Sequence, residues 1–167
     1  KNVRSASCSC GQLTVTTAGE PVRISVCHCL ACQRRTGSAF GVQARFPREA
    51  VTMTGRGNRY MRTADSGKTV TSTFCPECGS TVYYELELVP GFIGVPVGGF
   101  ADPSFPPPEI SIYEEQQHGW VVLAPGTGTF AGGLWQDAGA ATIGGESFEV
   151  YNFYKGTALQ GTIAIDA

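Results

Sequence analysis

Seven cysteines, all within the first 78 of 167 residues, narrow what this chain can fold into more than any other feature. They fall as Cys8-x-Cys10, Cys27-x-Cys29-x2-Cys32 and Cys75-x2-Cys78. An odd count leaves at least one thiol outside any disulfide framework. Cysteines two or three residues apart close only tiny loops when bridged, so such bonds would be strained or redox-active. Redox pairs of that kind open a helix in a βαβ context, and no such context is read here. Metal binding suits the spacings better. In "CPECGS", Cys75 to Ser80, two thiolates flank a tight turn, and Gly79 permits the positive φ that aims backbone N–H groups at sulfur. "CSCG", Cys8 to Gly11, offers a second pair with its own glycine. Together the two pairs can close one tetrahedral four-sulfur site, which would pin the N-terminal strand to the middle of the chain. Four merely buried thiols would be the packing alternative. The pairing and the following glycines argue against it.

Cys27, Cys29 and Cys32 form a separate local set. Structural zinc sites usually take four protein ligands, whereas catalytic ones keep a position for water or substrate. Three sulfurs therefore point to an open site, unless His28, His118 or a carboxylate closes it. His28 lies between two ligands, and in an extended segment it points away from them. Spacing alone leaves other pairings of the seven thiols open.

The rest of the chain reads as mainly β in a single domain. Twenty-two glycines and ten prolines mark many turns. No stretch sustains a 3.6-residue period, while "QLTVTT", "SAFGVQARF", "KTVTSTF", "STVYYELEL", "EISIY" and "FEVYNF" are β-rich runs between turn signals. No apolar run nears the roughly 18 residues of a membrane span. No leader signal is read at the Lys1 end, and the chain is expected in the cytoplasm. A net charge of −2 makes nucleic acid an unfavoured partner, although Arg34, Arg35, Arg56, Arg59 and Arg62 would make a local basic patch.

The segments "CSCGQLTV", "CHCLACQRRTGSAFG", "FCPECGSTVYY" and, more weakly, "VPVGGFADPSFPPPEISIYEEQQHGWV" resemble the glutathione-dependent formaldehyde-activating enzyme family, whose domain is shared with centromere protein V. The resemblance covers roughly residues 7–121. It implies a zinc-pinned β-tent of twisted antiparallel sheets. It implies that Cys8, Cys10, Cys75 and Cys78 hold a structural zinc, and that Cys27, Cys29 and Cys32 hold a catalytic one, two zinc ions per chain. The implied activity is that of a carbon–sulfur lyase or synthase, joining a glutathione-like thiol to a formaldehyde-like aldehyde as a hemithioacetal. The implied partners are thus a small thiol and a small aldehyde. The alternative is a non-catalytic zinc module that binds a protein or another macromolecule.

Three thiolates leave Zn²⁺ with a net negative charge, and a fourth deepens it, so such a site needs nearby positive charge or N–H donors. Arg34 and Arg35 follow the last ligand directly, and their planar guanidinium groups suit carboxylates. Ser38, in the Thr36-Gly37-Ser38 turn, and Phe40 complete the candidate substrate contacts. Phe100 and Phe105 are expected in the core, Asp102 in a turn cap and His118 in a structural role. Residues 1–125 are expected to form the zinc-binding domain. Beyond them, "GTGTFAGGLWQDAGAATIGG" reads as a linker. "ESFEVYNFYKGTALQGTIAIDA" reads as a hairpin around Lys155–Gly156, packed on the same domain or pairing with another subunit in a homo-oligomer.

Overall fold

The computed structural model describes residues 2–129 and, as backbone, residues 136–143, 146–155 and 158–166. The strands run in chain order β1 (Val3–Ser7), β2 (Thr14–Ala18), β3 (Arg23–Cys27), β4 (Gly41–Pro47), β5 (Val51–Thr54), β6 (Asn58–Thr63) and β7 (Thr69–Phe74). They continue as β8 (Thr81–Leu86), β9 (Phe92–Pro96), β10 (Ile110–Ile112), β11 (Gly128–Thr129), β12 (Gln136–Ile143), β13 (Glu146–Lys155) and β14 (Ala158–Asp166). A single α-helix, α1 (Leu30–Thr36), interrupts them among the described residues.

An antiparallel sheet β1-β2-β5 faces an eight-stranded sheet of order β11-β10-β3-β4-β9-β8-β7-β6. Their shared core holds Ala6, Leu13, Val15, Ile24, Ala44, Phe46, Val82, Ile93 and Val95. Phe100 stacks on Phe105 at 4.7 Å and leans on Phe46 at 6.2 Å, so these rings are core. Fully burying a ring such as Phe46 contributes about 1.5–3 kcal/mol. The period-two alternation of β4 sends Val42, Ala44 and Phe46 towards this core. Gly41, Gln43 and Arg45 are left on the opposite face, beside Cys27, Ser25 and Arg23 of β3.

The chain is mainly β, as expected, but the large sheet is mixed rather than wholly antiparallel. β10 runs parallel to both β3 and β11. A parallel neighbour needs a crossover, not a hairpin, and β10 reaches β3 across some eighty intervening residues through the Pro-rich stretch before Glu109. The short helix α1 was not foreseen, because seven residues are too few to display a period.

β12, β13 and β14 form a third, antiparallel sheet. The expected pairing about Lys155 is present as Lys155↔Ala158, while the turn itself, Gly156 and Thr157, lies outside the described residues. Gln136–Ile143, expected as linker, is a strand instead. Its Gly/Ala content hides a segment whose extended form depends on pairing with β13, and pairing of that kind is not written in local composition. The main sheet itself takes in Gly128–Thr129.

Candidate metal centres and active site

The four-sulfur group forms where the β1–β2 turn meets the β7–β8 turn. The sulfurs of Cys8, Cys10, Cys75 and Cys78 all lie within 4.8 Å of one another, with Cys8 and Cys10 at 3.5 Å and Cys10 and Cys75 at 3.6 Å. A tetrahedron with zinc–sulfur bonds of about 2.3 Å has edges of about 3.8 Å, so the spacing fits that ion. Each turn is built the same way. Gly11 (φ 80°) donates to Cys8 O at 3.0 Å, and Gly79 (φ 76°) donates to Cys75 O at 2.9 Å. N–H groups then aim at sulfur: Leu13 N at Cys8 Sγ (3.3 Å) and Glu77 N at Cys75 Sγ (3.4 Å). Gln12 Nε2 adds a third donor, 2.9 Å from Cys75 Sγ. The Ser80 hydroxyl and backbone hold the Cys78 thiol well below its ordinary range. At Cys75, burial works against the thiolate, but Gln12 and the N–H groups of Cys78 and Glu77 outweigh it. Cys10 moves the other way, up to about 12: the Gln12 N–H favours its thiolate, but Cys8, burial, Cys75 and Cys78 together outweigh it, a crowding of sulfurs that a bound cation would relieve.

The three-sulfur group sits at the end of β3 and the start of α1. Cys27, Cys29 and Cys32 present their sulfurs within 4.8 Å of one another, and no histidine or carboxylate among the described residues joins the set. Cys29 is the N-cap of α1, and its Sγ accepts from Cys32 N at 3.3 Å. Gly37 ends the helix in the left-handed region at φ 67°. Thiol hydrogen bonds from Cys27 and Cys32 hold Cys29 far below the usual thiol range. The same neighbours, with burial, push Cys27 far up. A donor set of three soft, partly buried sulfurs with no fourth protein ligand beside it fits zinc with an open position.

His28 is fully buried and turned away, with Nε2 3.2 Å from Ser111 Oγ. It also meets the Phe40 ring edge-on at 5.9 Å. Phe40 therefore packs behind the loop. His118 Nε2 contacts Gln33 Oε1 at 3.0 Å. The loop after β10 clasps the cysteine loop. Gln116 Oε1 accepts from Leu30 N at 2.8 Å, and Gln33 Nε2 donates to His28 O (2.8 Å) and Gln116 O (3.1 Å).

Of the two arginines, Arg34 is exposed and Arg35 is half-buried. Arg35 lies over the Tyr84 ring at 5.8 Å; Cys27 and, least, Arg35 favour the Cys32 thiolate, but Cys29 and burial raise that thiol on balance. Ser38 is exposed, and its N–H donates to Thr36 Oγ1 at 3.2 Å. Asp102 caps its turn by accepting from Ser104 N and Oγ at 2.9 and 2.7 Å. Arg56 and Arg59 pair with Glu77 and Glu85, which neutralises part of the presumptive basic patch.

Sequence reasoning missed Tyr113, Asp65, Gln33, Gln43 and Tyr84. Tyr113 holds the left-handed φ of 58°, rare for a residue with a Cβ. Burial, Asp65 and then Cys27 and Cys29 raise its phenol. The charge of Arg62, on β6, is the least of the influences that favour the Cys29 thiolate. Gln33 follows Cys32 directly on α1, while Tyr113, Asp65, Gln43 and Tyr84 lie on other strands and turns and carry no local signal.

Three likenesses accompany this geometry. A curated Aspergillus terreus protein named "Putative glutathione-dependent formaldehyde-activating enzyme" is 28% identical over 90 residues, 53% of this chain and 47% of that protein. The chain thus matches about half the length of that relative. A crystal structure of a Rhodobacter sphaeroides protein aligns with a TM-score of 0.48 at 19% identity, over 59% of this chain and 91% of that one. The profile of the glutathione-dependent formaldehyde-activating enzyme family matches residues 3–116, which carry all seven cysteines, and the chain belongs to that family.

Proposed function

We propose that this chain is a zinc-dependent enzyme that adds a glutathione-like thiol to a formaldehyde-like aldehyde and reverses that addition. The reading rests above all on one observation: three sulfurs share a site with no fourth protein ligand among the described residues. Cys27, Cys29 and Cys32 would hold one zinc, and Cys8, Cys10, Cys75 and Cys78 the other. Zinc in the three-sulfur site would supply a soft acceptor that lowers the pKa of an incoming thiol.

The reaction balances without an oxidant. Sulfur forms a bond to the carbonyl carbon, the C=O π pair moves to oxygen, and the proton lost by the thiol ends on that oxygen. Arg35 and Arg62 counter the negative charge that gathers as the thiol ionises. Tyr113, whose phenol is raised by burial, Asp65 and then Cys27 and Cys29, would hold the travelling proton. The brace of Gln33 and Gln116 fixes the sulfur-bearing loop, so little reorganisation is needed. Such chemistry suits aldehyde detoxification, and seven free thiols fit a reducing compartment such as the cytoplasm. No described helix is long and apolar enough to cross a membrane. We assign the zinc-binding body to residues 1–125 and give the C-terminal strands the role of a cover or a subunit contact.

The test is direct. Zinc-loaded protein is mixed with glutathione and formaldehyde, and adduct formation is followed by exchange NMR. Acceleration over the spontaneous rate that vanishes in Cys29→Ala is the expected result. Acceleration that survives this change would refute the assignment, and a rate no faster than the spontaneous one would favour a non-catalytic zinc module.

A further inference from the structure

The eight-stranded sheet ends at β6, whose outer edge pairs with no strand among the described residues. Five of its six residues are exposed. Tyr60 and Met61, at 62% and 64% exposure, put a large apolar side chain on each face of the strand. The ladder with β7 shows which backbone groups are free. Just beyond the pair Thr63↔Thr69, Ala64 N donates to Lys68 O at 2.8 Å, while Glu87 N donates to Thr69 O at 3.0 Å, so Thr69 turns to β8. Hydrogen-bonded and non-bonded pairs alternate along an antiparallel ladder. Arg62, Tyr60 and Asn58 therefore bond to β7, whereas Arg59, Met61 and Thr63 point their N–H and C=O groups outwards. Natural edges are blunted by proline, lysine, a bulge or brevity. β6 runs six residues in unbroken register with β7 and has only Arg59 and Arg62 as guards. Arg59 is itself drawn inwards, 3.1 Å from Glu85.

The C-terminal sheet offers a second open edge. β14 pairs with β13 on one side only. From Gly161 to Asp166 it runs in unbroken register with Phe148 to Phe153, which matches the length of β6. Thr162, Ile163 and Ile165 favour a strand, and neither proline nor lysine guards this run. β12, the other edge of that sheet, is less suited, because its register is interrupted between Asp137 and Ala140. Charge points the same way. β6 carries two arginines, whereas β12, β13 and β14 carry Asp137, Glu146, Glu149 and Asp166 against Lys155 alone. Two β6 strands laid side by side would instead crowd their arginines along one seam. Within one chain the edges of β6 and β14 belong to separate sheets.

We infer that β6 receives β14 of a second copy, antiparallel, with Arg59 opposite the partner's Asp166. That register sets Tyr60 opposite the partner's Ile165 and Thr63 opposite the partner's Thr162. Opposite charges, an aromatic ring beside a β-branched residue, and paired threonines are cross-strand combinations that stabilise a sheet. Each chain has one β6 and one β14, so exchange in both directions closes a two-fold pair. The inference deepens the subunit role given above to the C-terminal strands and rests on that reading, not on the metal or the reaction.

Light scattering on the reduced, zinc-loaded full chain tests it, and a dimer is expected. Met61→Pro removes an N–H that faces outwards and leaves the ladder to β7 intact. It should give a monomer with the parent's circular dichroism spectrum. Arg59→Asp sets like charges opposite one another at both seams and should weaken the dimer at least about tenfold. Adding Asp166→Arg should restore the affinity to within about twofold. A dimer that ignores both Met61→Pro and Arg59→Asp overturns the inference and leaves the C-terminal strands another subunit contact. A dimer weakened by Arg59→Asp and not restored by Asp166→Arg overturns β14 as the occupant. A monomer at every concentration removes the subunit role itself, and this inference with it.

Discussion

Gln12 and Cys75, 63 residues apart, meet through a 2.9 Å hydrogen bond from Nε2 to Sγ. The same amide spans the Gly55 turn, donating to Arg56 O at 2.7 Å and accepting from Arg56 N at 3.1 Å. Gly55 has to be glycine here, since its φ is 101° and a Cβ would collide with Gln12 O. One side chain therefore ties the four-sulfur site to the turn after β5.

Gln12→Leu keeps the volume but removes two hydrogen bonds to the exposed Arg56 backbone and a donor to sulfur. We expect a loss of about 0.5–1.5 kcal/mol, read from the urea midpoint, and faster zinc release to a chelator. An unchanged midpoint would show that solvent satisfies these groups equally well.

The purified, reduced protein should carry two zinc equivalents, one for each sulfur group. Cys75→Ala should lose the fold or melt at least about 10 °C lower, because structural zinc binding is folding energy. Cys29→Ala should keep its melting temperature within a few degrees and lose one zinc. Equal destabilisation of both variants would contradict this division of roles.

Gly94→Ala forces a methyl group into the Tyr84 ring. Overpacking of this kind costs about 1–3 kcal/mol. Adding Tyr84→Leu should restore part of that loss, a coupling that thermal melts of the single and double variants would measure. Strict additivity would mean that the backbone shifts elsewhere.

The Ser104 hydroxyl and N–H hold the Asp102 carboxyl below its ordinary value. Its folded pKa is therefore lower than its unfolded one. The stability it adds is present above the unfolded value of about 3.9 and is lost as pH falls through the folded value. The carboxyl carbon of Asp102 should titrate below pH 3.9 by NMR, and Ser104→Ala should move that midpoint upwards. A midpoint at the ordinary value would remove the cap from the account.

The two glycine-tailed cysteine pairs were open to reading because Gly11 and Gly79 stand where each turn needs a positive φ, whereas the full four-plus-three division came from the family resemblance. Strands such as β7 and β8 were equally plain, carrying runs of Thr, Val and Tyr. β3 and β9 were not recognised. β3 is buried at four of its five positions and β9 at three, so neither alternates in and out of solvent. Tyr113, Gln43 and Tyr84 carry no local signature either. Each acquires its surroundings only when distant strands pair, and one sequence does not state which strands those are.

The clasp on the cysteine loop has a consequence for how the protein is made. Cys78 completes the four-sulfur site early in synthesis, whereas Ile112, Gln116 and His118 leave the ribosome some forty residues later. During that interval the nascent chain carries three adjacent thiols without their brace, able to capture any soft ion within reach. Which metal a cell delivers in those seconds then bears on what the finished protein contains.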